Sequence, residues 1–195
     1  MANDIILYFT GAGINQGARM HPNDGETDDD IINEISRLTG VNPIKLTGWT
    51  GTNDNGMIEI PSISYVEMHS PSDKLILYGY SAGGMNALHV CRSILYNRKV
   101  RDVVDLLVTV DVANGLNSGR MNRSVPSNVT TNLNVFTYKT TLGGDSHGGP
   151  ATSAGGRTRI MNEERSDTNH ATIRLASKVR CLDAIQQVLQ GKPAS

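Results

Sequence analysis

Strand-like and helix-like segments alternate along the whole of this chain. Short runs of aliphatic, aromatic and β-branched residues predict strands, whereas longer stretches with apolar residues at helical spacing predict helices. The predicted strands are Ile5–Thr10, Pro43–Leu46, Leu75–Gly79, Leu106–Val110 and Leu133–Tyr138. The predicted helices are the segment between Thr27 and Gly40, then Pro61–His69, Ala82–Asn97 and Thr168–Gln190. Such alternation is typical of the α/β class, in which helices cover both faces of a mostly parallel sheet and ligands bind at the carboxyl ends of its strands.

The chain of 195 residues has the size of one domain, because domains usually hold about 100 to 200 residues. No proline-rich or serine-rich linker divides it, so residues 1–195 are expected to share a single core. Lys and Arg together number 18, Asp and Glu number 19, and neither sign forms a long block. Nucleic acid and anionic membrane surfaces are therefore not expected as partners, and the oligomeric state stays open.

The N-terminus and the cysteine count indicate a reducing compartment. The apolar run Ile5 to Phe9 is too short for a signal peptide or a membrane span, and no basic stretch precedes it. Cys91 and Cys181 are too few for a disulfide framework. We therefore expect a cytoplasmic protein with two buried thiols, while a single disulfide bridge and delivery by a dedicated secretion system stay open.

The sequence Gly79-Tyr80-Ser81-Ala82-Gly83 joins the third predicted strand to the helix that follows it. In a Gly-x-Ser-x-Gly pattern of this kind the serine occupies a sharp strand-to-helix turn, and the flanking glycines avoid collisions with neighbouring backbone. The alternative interpretation is a glycine turn whose serine is inert. The position between a strand and a helix, more than the five letters, favours Ser81 as a nucleophile.

A nucleophilic serine needs a base that accepts its proton and an acid that orients the base. Among five histidines, His170 is favoured because it follows the last predicted strand and stands at the start of the closing helix. Asp111 is favoured as the acid because it directly follows the fourth predicted strand and should emerge at the same edge as Ser81. Asp145 and His147, on a later loop, are the second choice for the acid and the base.

A developing oxyanion requires backbone N–H donors, one of them expected from the residue after the nucleophile and one from the loop after the first strand. Ala82 is the candidate for the first donor. Ala12, with Gly11 or Gly13 beside it, is the candidate for the second, because small residues let the backbone approach a substrate carbonyl closely.

Taken in chain order, the glycine loop after the first strand, the turn Gly79–Gly84, Asp111 and His170 resemble the α/β-hydrolase superfamily. The resemblance spans nearly the whole chain. The strand end Val108–Ala113 is similar to lipases whose acid follows the strand after the nucleophile helix, and Val125–Val129 is similar to a segment of small bacterial lipase-like hydrolases. The resemblance implies a Ser-His-Asp triad that cleaves carboxylic esters without a cofactor. Most superfamily members are longer and carry a helical cap domain, for which no segment of this chain is large enough.

Other classes of function remain as alternatives. The segment Gly11–Gly17 after a strand resembles a dinucleotide-binding turn, which would suit a nicotinamide-dependent reductase. However, no tyrosine is followed four positions later by the lysine that short-chain reductases need. A noncatalytic hydrolase-like binding module is a further alternative, and it requires Ser81 and His170 to lie out of mutual reach. A metal site is not expected, because no motif with metal-ligand spacing is present.

The loops around the expected site bear on the substrate. Two long loops, Asn114–Thr131 and Gly143–Ser166, hold few large apolar residues, which disfavours a lid that docks on lipid aggregates. The segment Gly143–Gly156 is predicted to be a surface loop. A soluble or short-acyl ester is therefore favoured, with a lipid ester kept open. Five arginines in or beside these loops could bind a phosphate or carboxylate of the substrate or simply be solvated: Arg120, Arg123, Arg157, Arg159 and Arg165.

Overall fold

A computed structural model of the protein describes residues 4–11, 27–47, 62–68, 70, 72–96, 103–113, 122–138 and 148–194. Its central sheet has six strands, all parallel, in the order β2-β1-β3-β4-β6-β8. These strands are β1 (Ile5–Phe9), β2 (Ile44–Leu46), β3 (Leu75–Tyr80), β4 (Val104–Val110), β6 (Val129–Phe136) and β8 (Arg159–Glu164). Two short strands, β5 (Ser124–Val125) and β7 (Thr152–Ser153), pair separately. The predicted α/β class with a mostly parallel sheet is confirmed.

Within the described residues four helices accompany the sheet, namely α1 (Asp28–Thr39), α2 (residues 62–67), α3 (Ala82–Tyr96) and α4 (Ile173–Leu189). Alternate residues of each strand point to opposite faces. On one face, Leu77 and its neighbours pack with residues of α2 and α3, including Val66 and Leu88. On the other face, Ile76 and its neighbours pack with residues of α1 and α4, including Ile35. The sheet is therefore the middle of three layers, with helices on both faces as predicted.

Helix α1 begins and ends where its sequence indicates. The Thr27 hydroxyl accepts a hydrogen bond from the Asp30 backbone N–H, and the Asp30 carboxylate accepts one from the Thr27 backbone N–H. This reciprocal capping box satisfies donors that the first helical turn leaves without partners. Gly40, with φ of 75°, ends the helix in the left-handed conformation.

Several predicted boundaries were wrong because polar residues lie inside the sheet. Strand β6 begins at Val129 instead of Leu133, and its Asn132 and Asn134 side chains are buried. Strand β8 was predicted as loop, since its sequence RIMNEE has only two apolar residues and forms the edge of the sheet. A single neighbouring strand leaves an edge strand partly solvated, so it shows neither alternation nor an apolar run.

Both predicted long loops contain strands: β5 lies in Asn114–Thr131, and β7 and β8 lie in Gly143–Ser166. The segment Gly143–Gly156 is not a surface loop throughout: among its described residues, Gly148, Gly149 and Ala151 are buried and β7 follows them.

The closing helix starts at Ile173 and not at Thr168, because residues 168–172 form turns. Those turns carry His170, which is therefore not held by helical hydrogen bonds.

The two thiols lie on opposite faces of the sheet. Cys91 packs in the cluster beneath α3, whereas Cys181 packs in the cluster beneath α4, and both are free and buried. The disulfide that composition left open is therefore not formed. None of the described helices is both long and apolar enough to cross a membrane.

Candidate active site

Ser81 occupies the turn between β3 and α3 in a strained backbone conformation. Its φ is 55°, in the left-handed region that residues with a β-carbon seldom adopt. The Ser81 N–H donates to the carbonyl of Val110 at 2.9 Å, and the Ser81 carbonyl accepts from Gly84 at 3.0 Å and Ala113 at 3.2 Å. The bonds with Val110 and Ala113 tie the turn to the end of β4, so the surrounding structure holds the strain at this position.

The glycines on either side of Ser81 are required by close backbone contacts. A β-carbon on Gly79 would overlap the carbonyl of Gly83, and one on Gly83 would overlap the carbonyl of Phe9. These obstacles are backbone atoms of the sheet and the helix, which cannot move aside cheaply. The Gly-x-Ser-x-Gly spacing therefore follows from the tight passage of β3 into α3 beside β1.

Ser81, His170 and Asp111 lie in one chain of hydrogen-bonded side chains. The Oγ of Ser81 lies 3.0 Å from Nε2 of His170, and Nδ1 of His170 lies 2.6 Å from Oδ2 of Asp111. The three residues follow β3, β8 and β4 respectively, so parallel strands bring them to one edge of the sheet. Such a geometry allows a proton to pass from the hydroxyl to the imidazole while the carboxylate orients the ring.

The Asp111 carboxylate is held from several directions and fully removed from solvent. The residue is 0 % exposed, and its backbone φ is 45°. Oδ1 of the carboxylate accepts a hydrogen bond from the Thr137 N–H at 3.1 Å. Gly148 packs so closely that a β-carbon there would overlap Oδ1. A carboxylate fixed on both oxygens cannot rotate away from His170, whose side chain keeps 18 % of its surface exposed.

A network of amides holds the segment that covers Asp111. The Asn134 side chain on β6 donates to the carbonyl of Gly149 at 3.0 Å and to the Asn162 side chain at 2.9 Å. The Asn162 side chain on β8 accepts from the N–H of Ala151 at 2.8 Å and donates to its carbonyl at 3.0 Å. These bonds fix the segment because a displacement would leave the buried Asn134 amide without its partners. Sequence analysis missed this role, since asparagines within a strand resemble loop residues.

The predicted oxyanion donors are described in part. Gly11 lies beside Ser81, because a β-carbon placed on it would be 3.5 Å from Cβ of Ser81. Ala82 is the first residue of α3, where backbone N–H groups have no partner within the helix. Ala12 and Gly13 lie outside the described residues, as do the second-choice acid and base, Asp145 and His147.

The five arginines in or beside the predicted loops differ in their surroundings. Arg123 is half-buried and lies near Asp111: burial lowers the pKa of its guanidinium, while the charge of Asp111 acts in the opposite direction. Arg159 donates to the carbonyl of Ala194 at 2.7 Å, and Arg165 pairs with Asp167 at 3.3 Å. The remaining two are Arg157, which is exposed, and Arg120, which lies outside the described residues.

Tyr80, which sequence analysis treated only as a spacer in the serine motif, contacts the histidine directly. Its ring stacks on the His170 ring with centroids 5.2 Å apart and planes 23° from parallel. Its hydroxyl donates to the His170 carbonyl at 2.6 Å, and Arg174 covers its ring at 5.2 Å. These contacts cannot be predicted from a tyrosine next to the serine, because they depend on where the fold places His170 at the edge of the sheet.

Comparison with solved structures identifies the architecture as the α/β-hydrolase fold. A protein of unknown function from Agrobacterium tumefaciens, a proposed α/β hydrolase, matches with a TM-score of 0.60 at 12% identity, over 100% of this chain and 90% of its own. A proposed hydrolase from Agrobacterium vitis S4 matches with a TM-score of 0.59 at 11% identity, over 95% and 88%. An α/β serine hydrolase without a lid from Xanthomonas campestris matches with a TM-score of 0.50 at 14% identity, over 97% and 84%. No family model and no curated protein matches the sequence.

Proposed function

We propose that the protein is a serine hydrolase that cleaves carboxylic esters through an acyl-enzyme. The observation that carries this proposal is the hydrogen-bonded chain from Ser81 through His170 to Asp111, with distances of 3.0 Å and 2.6 Å. A structurally inert serine has no need of an imidazole and a buried carboxylate aligned behind it. The α/β-hydrolase fold supports the same interpretation, because the strained strand-to-helix turn is its usual place for a nucleophile.

The reaction divides into two steps that use the same groups. In the first, the Ser81 oxygen attacks the ester carbonyl carbon while Nε2 of His170 accepts the serine proton and then gives it to the departing alcohol. In the second, His170 takes a proton from water as the water oxygen attacks the acyl carbon, and it then gives that proton to the Ser81 oxygen as the bond to the acyl group breaks and the acid leaves. Asp111 keeps the Nδ1 proton of His170 directed away from the serine and stabilises the imidazolium that forms in both steps.

Backbone N–H donors stabilise the negative charge that develops on the carbonyl oxygen. The Ala82 N–H supplies one hydrogen bond, and the loop that begins at Gly11 and continues through Ala12 and Gly13 supplies the other. No cofactor or metal ion takes part in this route. A soluble or short-acyl ester is the favoured substrate class, and a lipid ester remains an outcome of the substrate survey below.

A fluorophosphonate probe tests the proposal directly. The wild-type protein should be labelled at Ser81, as located by peptide mass spectrometry, and Ser81→Ala should abolish labelling. His170→Ala should slow labelling about 10,000-fold or more, because an unactivated hydroxyl is a poor nucleophile. Ser127→Ala, which alters an exposed serine on the turn before β6, should be labelled at the wild-type rate.

A series of p-nitrophenyl esters of increasing acyl length then addresses the substrate. We expect the highest kcat/KM for short chains. Correctly folded wild-type protein that neither reacts at Ser81 nor hydrolyses any of these esters would refute the proposed mechanism. The noncatalytic binding module would then become the better interpretation, although it requires Ser81 and His170 to be apart, whereas their side chains lie within hydrogen-bond distance.

A further inference from the structure

We propose that Tyr80 is a positioning residue for His170, and that the Asp28–Arg174 ion pair acts on the reaction by holding Tyr80 in place. This inference rests on the proposed serine hydrolase function. It extends the site from the three side chains at the sheet edge to the interface between α1 and α4.

Two contacts connect Tyr80 to His170, and they restrain different parts of it. The stacked rings, with centroids 5.2 Å apart, limit rotation of the imidazole, whereas the hydrogen bond of 2.6 Å from the Tyr80 hydroxyl restrains the His170 backbone carbonyl. His170 needs such restraints because it lies in turns between β8 and α4. The residues around His170 have hydrogen bonds of their own. The Thr137 hydroxyl donates to the Thr168 carbonyl at 3.0 Å, and the Asn169 side chain accepts from the Ala171 N–H at 3.0 Å.

The Tyr80 ring is also covered by a charged group, Arg174, which has partners of its own. The guanidinium carbon of Arg174 lies 5.2 Å from the ring centroid, and Nη1 of Arg174 donates to Oδ1 of Asp28 at 2.6 Å. The Tyr8 hydroxyl donates to the same carboxylate oxygen at 2.8 Å. Burial acts to lower the pKa of Arg174, but the Asp28 carboxylate and the neighbouring tyrosines raise it above its ordinary value. Arg174 thus stays charged and anchored between α1 and α4.

This arrangement acts on the charged intermediate state of the reaction more than on substrate binding. During both steps His170 becomes an imidazolium, and the face of an aromatic ring attracts a cation. The Asp28 carboxylate balances the charge of Arg174, so the imidazolium does not meet an uncompensated positive charge over the same tyrosine ring. A loss of Tyr80 should therefore lower kcat and leave KM nearly unchanged, because a small displacement of a catalytic base can cost about 100-fold in rate.

Substitutions that remove the contacts one at a time test the proposal. With p-nitrophenyl acetate, Tyr80→Phe removes the hydroxyl and should lower kcat about threefold to tenfold, the usual worth of one hydrogen bond. Tyr80→Leu also removes the ring and should lower kcat about tenfold to 100-fold. Each kcat is expressed per active site titrated with the fluorophosphonate, so that misfolded protein does not count. Tyr96→Leu, the same change at an exposed tyrosine on α3, should leave kcat at the wild-type value.

The ion pair is tested through its dependence on Tyr80. Arg174→Met keeps an unbranched apolar stem, removes the guanidinium and its charge, and should lower kcat several-fold. If Arg174 acts through Tyr80, the same substitution in a Tyr80→Leu background should have no further effect on kcat. An independent drop of equal size in both backgrounds would overturn the role of the ion pair. Should Tyr80→Leu fail to fold, Tyr80→Phe and Arg174→Met are compared as single variants and as a double variant in the same way.

The outcomes separate this inference from the proposed function. Wild-type protein that is inert towards both the probe and the esters refutes the proposed function, and this inference with it. Active wild-type protein whose Tyr80 variants lose thermal stability, yet keep kcat per active site, refutes the positioning role alone. A second readout is the downfield NMR resonance of the Nδ1 proton of His170. It should broaden in Tyr80→Leu and persist in Tyr96→Leu, and an unchanged resonance in Tyr80→Leu would contradict the positioning role.

Discussion

Asp111 combines two features at one residue that seldom occur together. Its backbone has a φ of 45°, a conformation that aspartate and asparagine tolerate better than most residues, and its carboxylate is wholly buried. Its side chain meets the Thr137 N–H on one oxygen and His170 on the other. The residue type therefore serves the local backbone and the proposed chemistry at once.

Asp111→Asn separates these two roles. Asparagine keeps the shape of the side chain and tolerates the positive φ, so the free energy of unfolding should change little. An amide N–H in place of Oδ2 would hold His170 in the wrong tautomer, and kcat/KM for p-nitrophenyl acetate should fall by about 10,000-fold. Asp105→Asn, at the other end of β4, breaks an ion pair with Lys74 and should leave kcat/KM unchanged. Equal losses in both variants would show that Asp111 acts only through the stability of the strand.

At the scale of elements, boundaries with a local chemical cause were predictable and those with a distant cause were not. The start of α1 at Thr27 and its end at Gly40 depend on residues within one helical turn. The place of β8 depends on pairing with β6, whose residues lie 28 positions earlier in the chain. Its sequence, RIMNEE, becomes a strand because β6 offers free backbone hydrogen-bonding groups at that edge.

The capping box of α1 gives a prediction at this scale. Thr27→Ala removes the hydroxyl that accepts from the Asp30 N–H and should lower the free energy of unfolding by about 1 kcal/mol. Asn33→Ala, at an exposed position in the middle of the same helix, should leave stability unchanged or raise it slightly, since alanine favours helix. Urea denaturation of the two variants measures the difference. A Thr27→Ala protein as stable as the wild type would mean that tertiary packing alone defines the helix start.

At the scale of the whole molecule, the sheet separates two apolar clusters, each of which contains one thiol. Burial raises the pKa of Cys91 to about 12 and that of Cys181 to about 12. Neither thiol can therefore ionise or meet a reagent while the three layers remain packed. Reaction of either thiol therefore requires the layer that covers it to open.

We expect no reaction of the native protein with Ellman's reagent at pH 8, and reaction of both thiols after unfolding in urea. Unfolded thiols ionise near their ordinary pKa of 9.0, whereas the native ones stay protonated until about 12. The unfolded chain thus releases protons that the native state retains, and the free energy of unfolding should fall as the pH rises from 8 to 9.5. A Cys91→Ala/Cys181→Ala variant should show a smaller fall. Rapid reaction of one thiol in the native protein would contradict the burial of that face.

The sequence by itself determined the alternation of strands and helices, the elbow around Ser81 and the position of Asp111 at a strand end. Each of these depends on neighbours within a few residues, whose spacing is visible along the chain. The tertiary structure alone decided which of the five histidines meets Ser81, how Asn134 on β6 holds the segment over Asp111, and that Tyr80 stacks on His170. These contacts join residues that are 15 to 90 positions apart, and only the register of the parallel strands brings them together.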